Sequence, residues 1–327
     1  MSVTTDILIR NFEWADLPAI TDLYNLCQEF DHLDGRVTLA EMENEWRSPI
    51  YDPEHEYLVV YSPDNQLSAY AWTEKSELAS RGWGGAYVHP DHRKQGLGTH
   101  LLRATDVDYL NRVADQIDQE TPIYVQRWTH ESKQDTIDLL EREGYFRART
   151  FYTMRIELDQ PLQPITLPEG FTLKPFDPAT DAQFVYQAHQ EAFRDHWGHE
   201  VDTPFEEWNT RLTDPTFDPA LWFIAYEGNS IAGVSICNIW GEDLPDLAWV
   251  GTLGVRRPWR KRGLAMALLQ HSFQIFQQRG FKKAGLGVDA SNPTGAVALY
   301  ERAGMHVYKR GFSYRKVLRG NPDSLKD

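Results

Sequence analysis

Cysteine is scarce in this chain, with two among 327 residues: Cys27 and Cys237, one in each half. So distant a pair draws no framework of bridges. No Cys-x-x-Cys or Cys/His spacing offers a zinc site, so no metal is expected, and a reducing compartment fits. Positive charge is also short, with 33 Lys and Arg against 48 Asp and Glu and a net charge of −15. Such a surface repels phosphates, which argues against nucleic acid and anionic membrane as partners. A cationic small molecule fits it better, though acidity also serves solubility. No run approaches the ~18 apolar residues of a membrane span. Asp6, Arg10, Glu13 and Asp16 stand where a secretory signal needs an apolar stretch, so a cytoplasmic location is expected. Two phosphate-binding signatures are missing as well: the Walker loop and the Rossmann glycine triplet.

What is present repeats. Hydrophobic residues are 41% and charged residues 25% of the chain, as in ordinary globular proteins. The length favours two domains, each able to bury a core. Residues 88–98 read Val-His-Pro-Asp-His-Arg-Lys-Gln-Gly-Leu-Gly, and 255–265 read Val-Arg-Arg-Pro-Trp-Arg-Lys-Arg-Gly-Leu-Ala. Arg93 answers Arg260, Gly96 answers Gly263 and Gly98 answers Ala265. Further on, Leu-Leu-Glu-Arg-Glu-Gly at 139–144 matches Leu-Tyr-Glu-Arg-Ala-Gly at 299–304. A period this long means a duplicated domain. Residues 159–170 hold Pro161, Pro164, Pro168 and Gly170, a composition that resists helix and central strand and reads as a linker. The expected domains are 1–158 and 171–320, with 321–327 as a tail.

The second half reads as helices over 181–193 and 204–212. Strands follow over 220–226 and 230–239, joined by a Gly-Asn turn, then a strand over 247–255. A helix over 263–278 should bury Ala265, Leu269, Phe273 and Phe276 on one face and stop at Gly280. A strand over 284–289, a helix over 294–303 and a strand over 306–318 complete the half. The first half follows the same order, which gives an α/β fold with helices on mixed sheets.

The chemical signal is a strand, then Arg-x-x-Gly-x-Gly/Ala, then an amphipathic helix. A loop whose N–H groups converge on a helix N-terminus binds anions. Gly263 admits close backbone approach, and Ala265 keeps the first turn small. Arg260, Lys261 and Arg262 add positive charge. Backbone amides at a break in a strand can stabilise an oxyanion. A tyrosine hydroxyl of pKa ~10 can protonate or hydrogen-bond a thiolate of pKa ~8.5.

These motifs resemble the GNAT superfamily of acetyl-CoA N-acetyltransferases, and its tandem-domain members. The matching blocks are Gly251–Val255, Arg260–Ala265, Leu286–Asn292 and Ala296–Gly304. The resemblance implies two GNAT-like domains, each a mixed, splayed β-sheet flanked by helices. It implies acetyl-CoA as co-substrate and direct attack by a primary amine. The loop Arg260, Lys261, Arg262, Gly263, Leu264 and Ala265 would hold the CoA pyrophosphate. The amides around Leu253, Gly254 and Val255 would bind the acetyl carbonyl and the pantetheine arm. Asn292 would contact that arm, and Tyr300 would be the general acid. The base is open between Asp289, with Asp246 and Glu242 behind it, and a chain of waters.

In the first copy Leu140 stands in place of Tyr300 and Ser132 in place of Asn292. Val88, Arg93, Lys94, Gln95, Gly96, Leu97, Gly98 and Thr99 keep a loop that would hold a second CoA without catalysis, or serve only as scaffold. The acceptor end of such a fold lies under the early helices. Phe193, Asp195, His196 and Trp197 are candidates there, since aromatic rings beside a carboxylate hold an ammonium group; ordinary loop packing is the plainer explanation. The tandem layout is similar to that of the mycothiol synthases, which acetylate an amino-sugar thiol. Those enzymes carry a glutamate in the C-terminal fourth strand where Trp249 is nearest here, and that departure counts against the same substrate. The expected acceptor is a small-molecule amine. A protein N-acetyltransferase and a non-catalytic CoA-binding sensor are the alternatives.

Overall fold

A computed structural model of the chain describes residues 8–321 and 323, except 49, 77, 163, 195, 198–200, 215–216, 240–243 and 293. The first half runs β1 (Leu8–Asn11), α1 (Leu17–Phe30), α2 (Leu39–Trp46), α3 (Pro53–Glu56), β2 (Tyr57–Tyr61), β3 (Leu67–Lys75), β4 (Arg81–Val88), α4 (Leu97–Val113), β5 (Ile123–His130), α5 (Gln134–Arg142) and β6 (Phe146–Glu157). The second runs β7 (Phe171–Pro175), α6 (Pro178–Phe193), α7 (Phe205–Asn209), β8 (Trp222–Glu227), β9 (Ser230–Ile239), β10 (Leu247–Val255), α8 (Leu264–Gln278), β11 (Lys283–Asp289), α9 (Ala296–Arg302) and β12 (His306–Arg319).

Local chemistry sets these limits. Thr38 and Glu41 form a reciprocal capping box that starts α2, satisfying two amides the helix leaves open. Asp177 accepts from the Ala179 amide ahead of α6. α8 ends at Gln278 and is capped by Arg279, with Gly280 at φ +90° just beyond.

The chain forms two compact units, residues 1–150 with 311–327 and residues 151–310. This division differs from the expected one in a specific way. In the first unit β1 to β4 form an antiparallel meander, β5 lies parallel to β4, and residues 311–319 of β12 close the sheet antiparallel to β5. In the second unit β7 to β10 repeat the meander, β11 lies parallel to β10, and residues 151–157 of β6 close the sheet antiparallel to β11. Proline density at 159–170 marks the crossing of the chain between elements, but a closing strand is chosen by hydrogen bonding and burial, which composition does not report.

In the second unit Leu268, Leu269, Phe273 and Phe276 of α8 pack on Ala248, Val250, Ala284 and Leu286. Burying one such side chain stabilises by about 2 kcal/mol. Leu264 is buried while Ala265 is only half-buried, so the apolar face begins one residue earlier than expected. On the opposite side of the sheet, Val185 and Ala188 of α6 and Trp208 of α7 cover Ile224, Val234 and Ile236. In the first unit Arg127 and Asp106 form a buried ion pair at 2.9 Å. Both cysteines are buried and unbridged, and burial pushes the Cys237 thiol up to about 11. No helix among the described residues is long and apolar enough to cross a membrane.

Candidate active site

The site in the second unit starts from a fault in β10. Its register against β9 shifts between Val250 and Thr252, leaving Gly251 as a bulge. Its parallel pairing with β11 covers only Leu247 to Trp249, opposite Lys283 to Gly285. Beyond that point the two strands are no longer paired, although β11 continues to Asp289 along β6. A bulge sharpens local twist, and the result is a gap lined by unshared backbone groups of β10 and β11. Leu253, Gly254 and Val255 lie on its β10 side, still paired to Ser235, Val234 and Gly233 of β9.

The loop after β10 turns through Lys261 at φ +61° and Gly263 at φ +84°. The first helical bond of α8 runs from the Ala267 amide to the Gly263 carbonyl at 3.2 Å. The amides before it point out of the helix end, where anions are favoured. Gly263 caps α8 in the left-handed region, which a side-chain-bearing residue adopts only under strain.

The arginines of this loop are used differently from expectation. Arg260 turns inward: its Nε donates to the Val255 carbonyl at 3.0 Å and its Nη2 to the Ala192 carbonyl at 3.1 Å. Its side chain fixes the loop to the end of β10 and to α6. Arg262 pairs with Glu227 at 2.6 Å and lies 4.4 Å over the Phe171 ring. That ion pair, with the Trp259 indole N–H at 2.8 Å, holds the Glu227 carboxyl below its usual range. Lys261 is exposed. A phosphate here would therefore be held by amides and Lys261, with Arg260 acting through the backbone.

Tyr300 lies on α9, is 8% exposed, and packs in the same cluster as Val250, Leu264, Leu286 and Val288. Burial pushes its phenol up to about 12. Its counterpart Leu140 is buried among Ile137, Val125 and Tyr145. Asn292 does not cap α9, because Gly295 does. Instead its Oδ1 accepts from the Thr294 amide at 2.8 Å and closes the preceding turn. Asp289 similarly accepts from the Ser291 amide at 2.8 Å, so part of its carboxylate shapes the loop. The Asp246 carbonyl accepts from Lys282 and Lys283 at the far end of β11, away from the unpaired stretch.

The acceptor candidates separate. Phe193 lies against β10, since a Cβ on Gly254 would come within 2.8 Å of its ring. Its ring also stands 4.3 Å from that of His196. Trp197 instead meets Phe151 at 6.1 Å, and Phe151 pairs with Asp289. The end of α6 thus touches β10, and the connection after it touches the end of β11's partner strand. Asp195 and the candidate base Glu242 lie outside the described residues.

The first unit repeats the loop closely. Lys94 has φ +62° and Gly96 φ +89°, and Arg93 Nε donates to the Val88 carbonyl at 3.1 Å. Arg93 also pairs with Asp31 at 2.6 Å, Lys94 with Asp135 at 3.4 Å, and Arg142 donates to Thr99 at 3.4 Å. Gln95 donates to the Asp91 carbonyl at 3.0 Å. Leu97 is buried, and a Cβ on Gly98 would stand 3.3 Å from Leu139. The bulge is not repeated: β3 and β4 pair without a shift from Ala69–Val88 to Lys75–Gly82.

The profile of the acetyltransferase (GNAT) family matches residues 17–145 and again 182–305. The chain belongs to the GNAT acetyltransferase family. Mycothiol acetyltransferase from Thermobispora bispora is 31% identical over 264 residues, 80% of this chain and 83% of that protein. The GCN5-related N-acetyltransferase from Sphaerobacter thermophilus is 34% identical, with a TM-score of 0.79 over 97% of this chain and 98% of that one. A tandem GNAT protein from the clavulanic acid biosynthesis pathway shares the fold, with a TM-score of 0.72 at 15% identity over 95% and 98% of the two chains. This GNAT protein is accordingly an acetyl-CoA N-acetyltransferase with two GNAT regions.

Sequence reasoning missed the part played by glycines in this GNAT protein's strands. Gly251 is the bulge and Gly285 lies beneath Trp249. Glycine inside a strand pattern is a recognised mark of bulges and close approach, and four of them, Gly251, Gly254, Gly285 and Gly287, fall within β10 and β11.

Proposed function

We propose that the second unit transfers the acetyl group of acetyl-CoA directly to the neutral primary amine of a small molecule, in a ternary complex, with Tyr300 as general acid. The observation that carries this reading is the unpaired stretch of β10 and β11 past Trp249 and Gly285, with the open end of α8 beside it. The residues present suit the cofactor: a left-handed glycine cap, outward amides and a slot between strands. A Cβ on Gly263 would meet Pro168 Cγ at 3.5 Å, and its φ of +84° would strain any side-chain-bearing residue at the mouth of that space.

In this reading the amides of α8's first turn and Lys261 hold the pyrophosphate. Backbone N–H groups past the bulge polarise the thioester carbonyl. As the N–C bond forms and the C–S bond breaks, Tyr300 donates its hydrogen bond to the sulfur. With a phenol near 12, the group is protonated throughout the neutral range, and its proton moves to sulfur only as charge develops there. A small acceptor is supported by relatives named mycothiol acetyltransferase that match most of the chain. The first unit, with Leu140 at the acid position and no bulge, is read as non-catalytic.

Release of CoA thiol by the full chain against a panel of small amines and a lysine-bearing peptide tests this. Turnover with a small amine and none with the peptide is expected. Turnover with the peptide alone would refute the acceptor class.

A further inference from the structure

One row of side chains beside the bulge is used by neither the cofactor loop nor Tyr300. Asn238 on β9 pairs with Trp249 on β10, and Trp249 pairs with Gly285 on β11. Cross-strand partners share a face. Asn238 follows Val234 and Ile236 at the strand period of two, so the face is the one covered by α6 and α7. The other face, with Ala248, Val250 and Leu286, belongs to α8.

The indole of Trp249 lies across β11. A Cβ on Gly285 would stand 2.6 Å from its Cζ3, and one on Gly287 3.9 Å from its Cζ2. Any larger residue at 285 would lift the ring. The indole is half-buried, which leaves part of a flat apolar surface where the strands part. Asn238 stands beside it: a Cβ on Gly251 would be 3.1 Å from Asn238 Oδ1 and 4.0 Å from Trp249 Cδ1. The Asn238 amide makes no side-chain hydrogen bond to the described residues.

An indole laid over glycines, next to an unused amide at a bulge, presents an apolar plane and a hydrogen-bonding group to a ligand. We propose that Trp249 and Asn238 form the acceptor subsite, and that it takes a primary amine carried next to a ring with an apolar face, aromatic or pyranose. The ring stacks on Trp249, and Asn238 Oδ1 accepts a hydrogen bond from the attacking nitrogen. This rests on the reading of the second unit as the catalytic one. Neither side chain takes up a proton near neutrality. The proton lost by the nitrogen as the N–C bond forms therefore passes to solvent, and the sulfur leaves as thiol with the proton donated to it. The pH dependence of kcat/KM then follows the pKa of the acceptor's own amine.

The test uses the full chain, acetyl-CoA and three amines: 2-phenylethylamine, glucosamine and spermidine. At least one ring amine should exceed spermidine in kcat/KM, and the first two arms distinguish an aromatic from a pyranose ring. With the preferred amine, Trp249→Leu should raise the acceptor KM by about tenfold and leave the acetyl-CoA KM unchanged, as loss of ground-state binding does. Trp249→Phe, which keeps a ring, should recover most of that loss. Asn238→Asp should add a second, acceptor-independent pKa to the kcat/KM profile. Preference for spermidine, or an unchanged acceptor KM in a folded Trp249→Leu enzyme, would overturn the proposal. Failure of the wild type with all three amines would count against the small-amine reading beneath it.

Discussion

The guanidinium of Arg260 donates to the carbonyl of Val255 at 3.0 Å, and the first copy repeats the bond from Arg93 to Val88 at 3.1 Å. The arginine shared by the two motifs therefore braces the strand end that it follows. Arg260→Ala removes this bond and the one to Ala192, and leaves both carbonyls short of a partner. Lost hydrogen bonds from a charged donor cost about 1.5–3 kcal/mol each in favourable settings. A lower Tm is expected together with a raised acetyl-CoA KM. An unaltered Tm with a raised KM would return Arg260 to direct phosphate contact.

Tyr300→Phe removes one oxygen from a buried ring. Packing with Leu286 and Val288 should survive, so Tm and acetyl-CoA KM should change little. The cost should fall on kcat, by about 10²-fold for a positioned acid. Steady-state kinetics with an identified acceptor decide this. An unchanged kcat would reduce Tyr300 to a packing residue.

Glu74 provides a pH test of the first unit. Burial pushes its carboxyl up to about 7, with its oxygen accepting from the Tyr57 hydroxyl. The folded state then binds this proton more tightly than the unfolded state, whose value is near 4.5. The stability it contributes is full below the unfolded value and is lost as pH rises through the folded one. Tm should fall between about pH 4.5 and 7, and Glu74→Gln should flatten that fall. A wild-type profile with no slope in that window would contradict the burial of this carboxyl.

The closing strands make a further prediction. Residues 311–319 pair with β5 from Gly311–His130 to Arg319–Ile123. A chain ending at residue 310 would leave β5 as an open edge, and unpaired edges aggregate. Loss of soluble first unit is expected on limited proteolysis of that variant. A protected fragment covering β1 to β5 would contradict the assignment.

How much of this was legible in the sequence varies with the physics of each feature. The repeat, the strand–loop–helix order and the loop were legible, because turn chemistry and apolar period are local. The helix read over 263–278 is such a case, although Gly263 proves to be its left-handed cap and not its first residue. The exchange of closing strands was not, since it depends on pairing partners distant in the chain. Nor was the inward turn of Arg260, because a basic loop beside a helix end suggests an anion while the geometry gives the guanidinium two carbonyls. A glycine inside a strand pattern marks Gly251 as a site for a bulge, but which glycine carries the register shift against β9 is a relation between two strands and not a property of either one.

The central claim is that chemistry resides in the second unit, and paired glycine variants test it most directly. Gly263 and Gly96 hold equivalent caps, at φ +84° and +89°. Gly263→Val and Gly96→Val impose the same backbone strain, of about 1–2 kcal/mol, at matching sites in the two units. With folding of both variants checked by Tm, acetyl-CoA KM and kcat are measured side by side. The account predicts a raised KM for Gly263→Val and near wild-type kinetics for Gly96→Val. An equal or greater loss in Gly96→Val would place the active cofactor site in the first unit and contradict it.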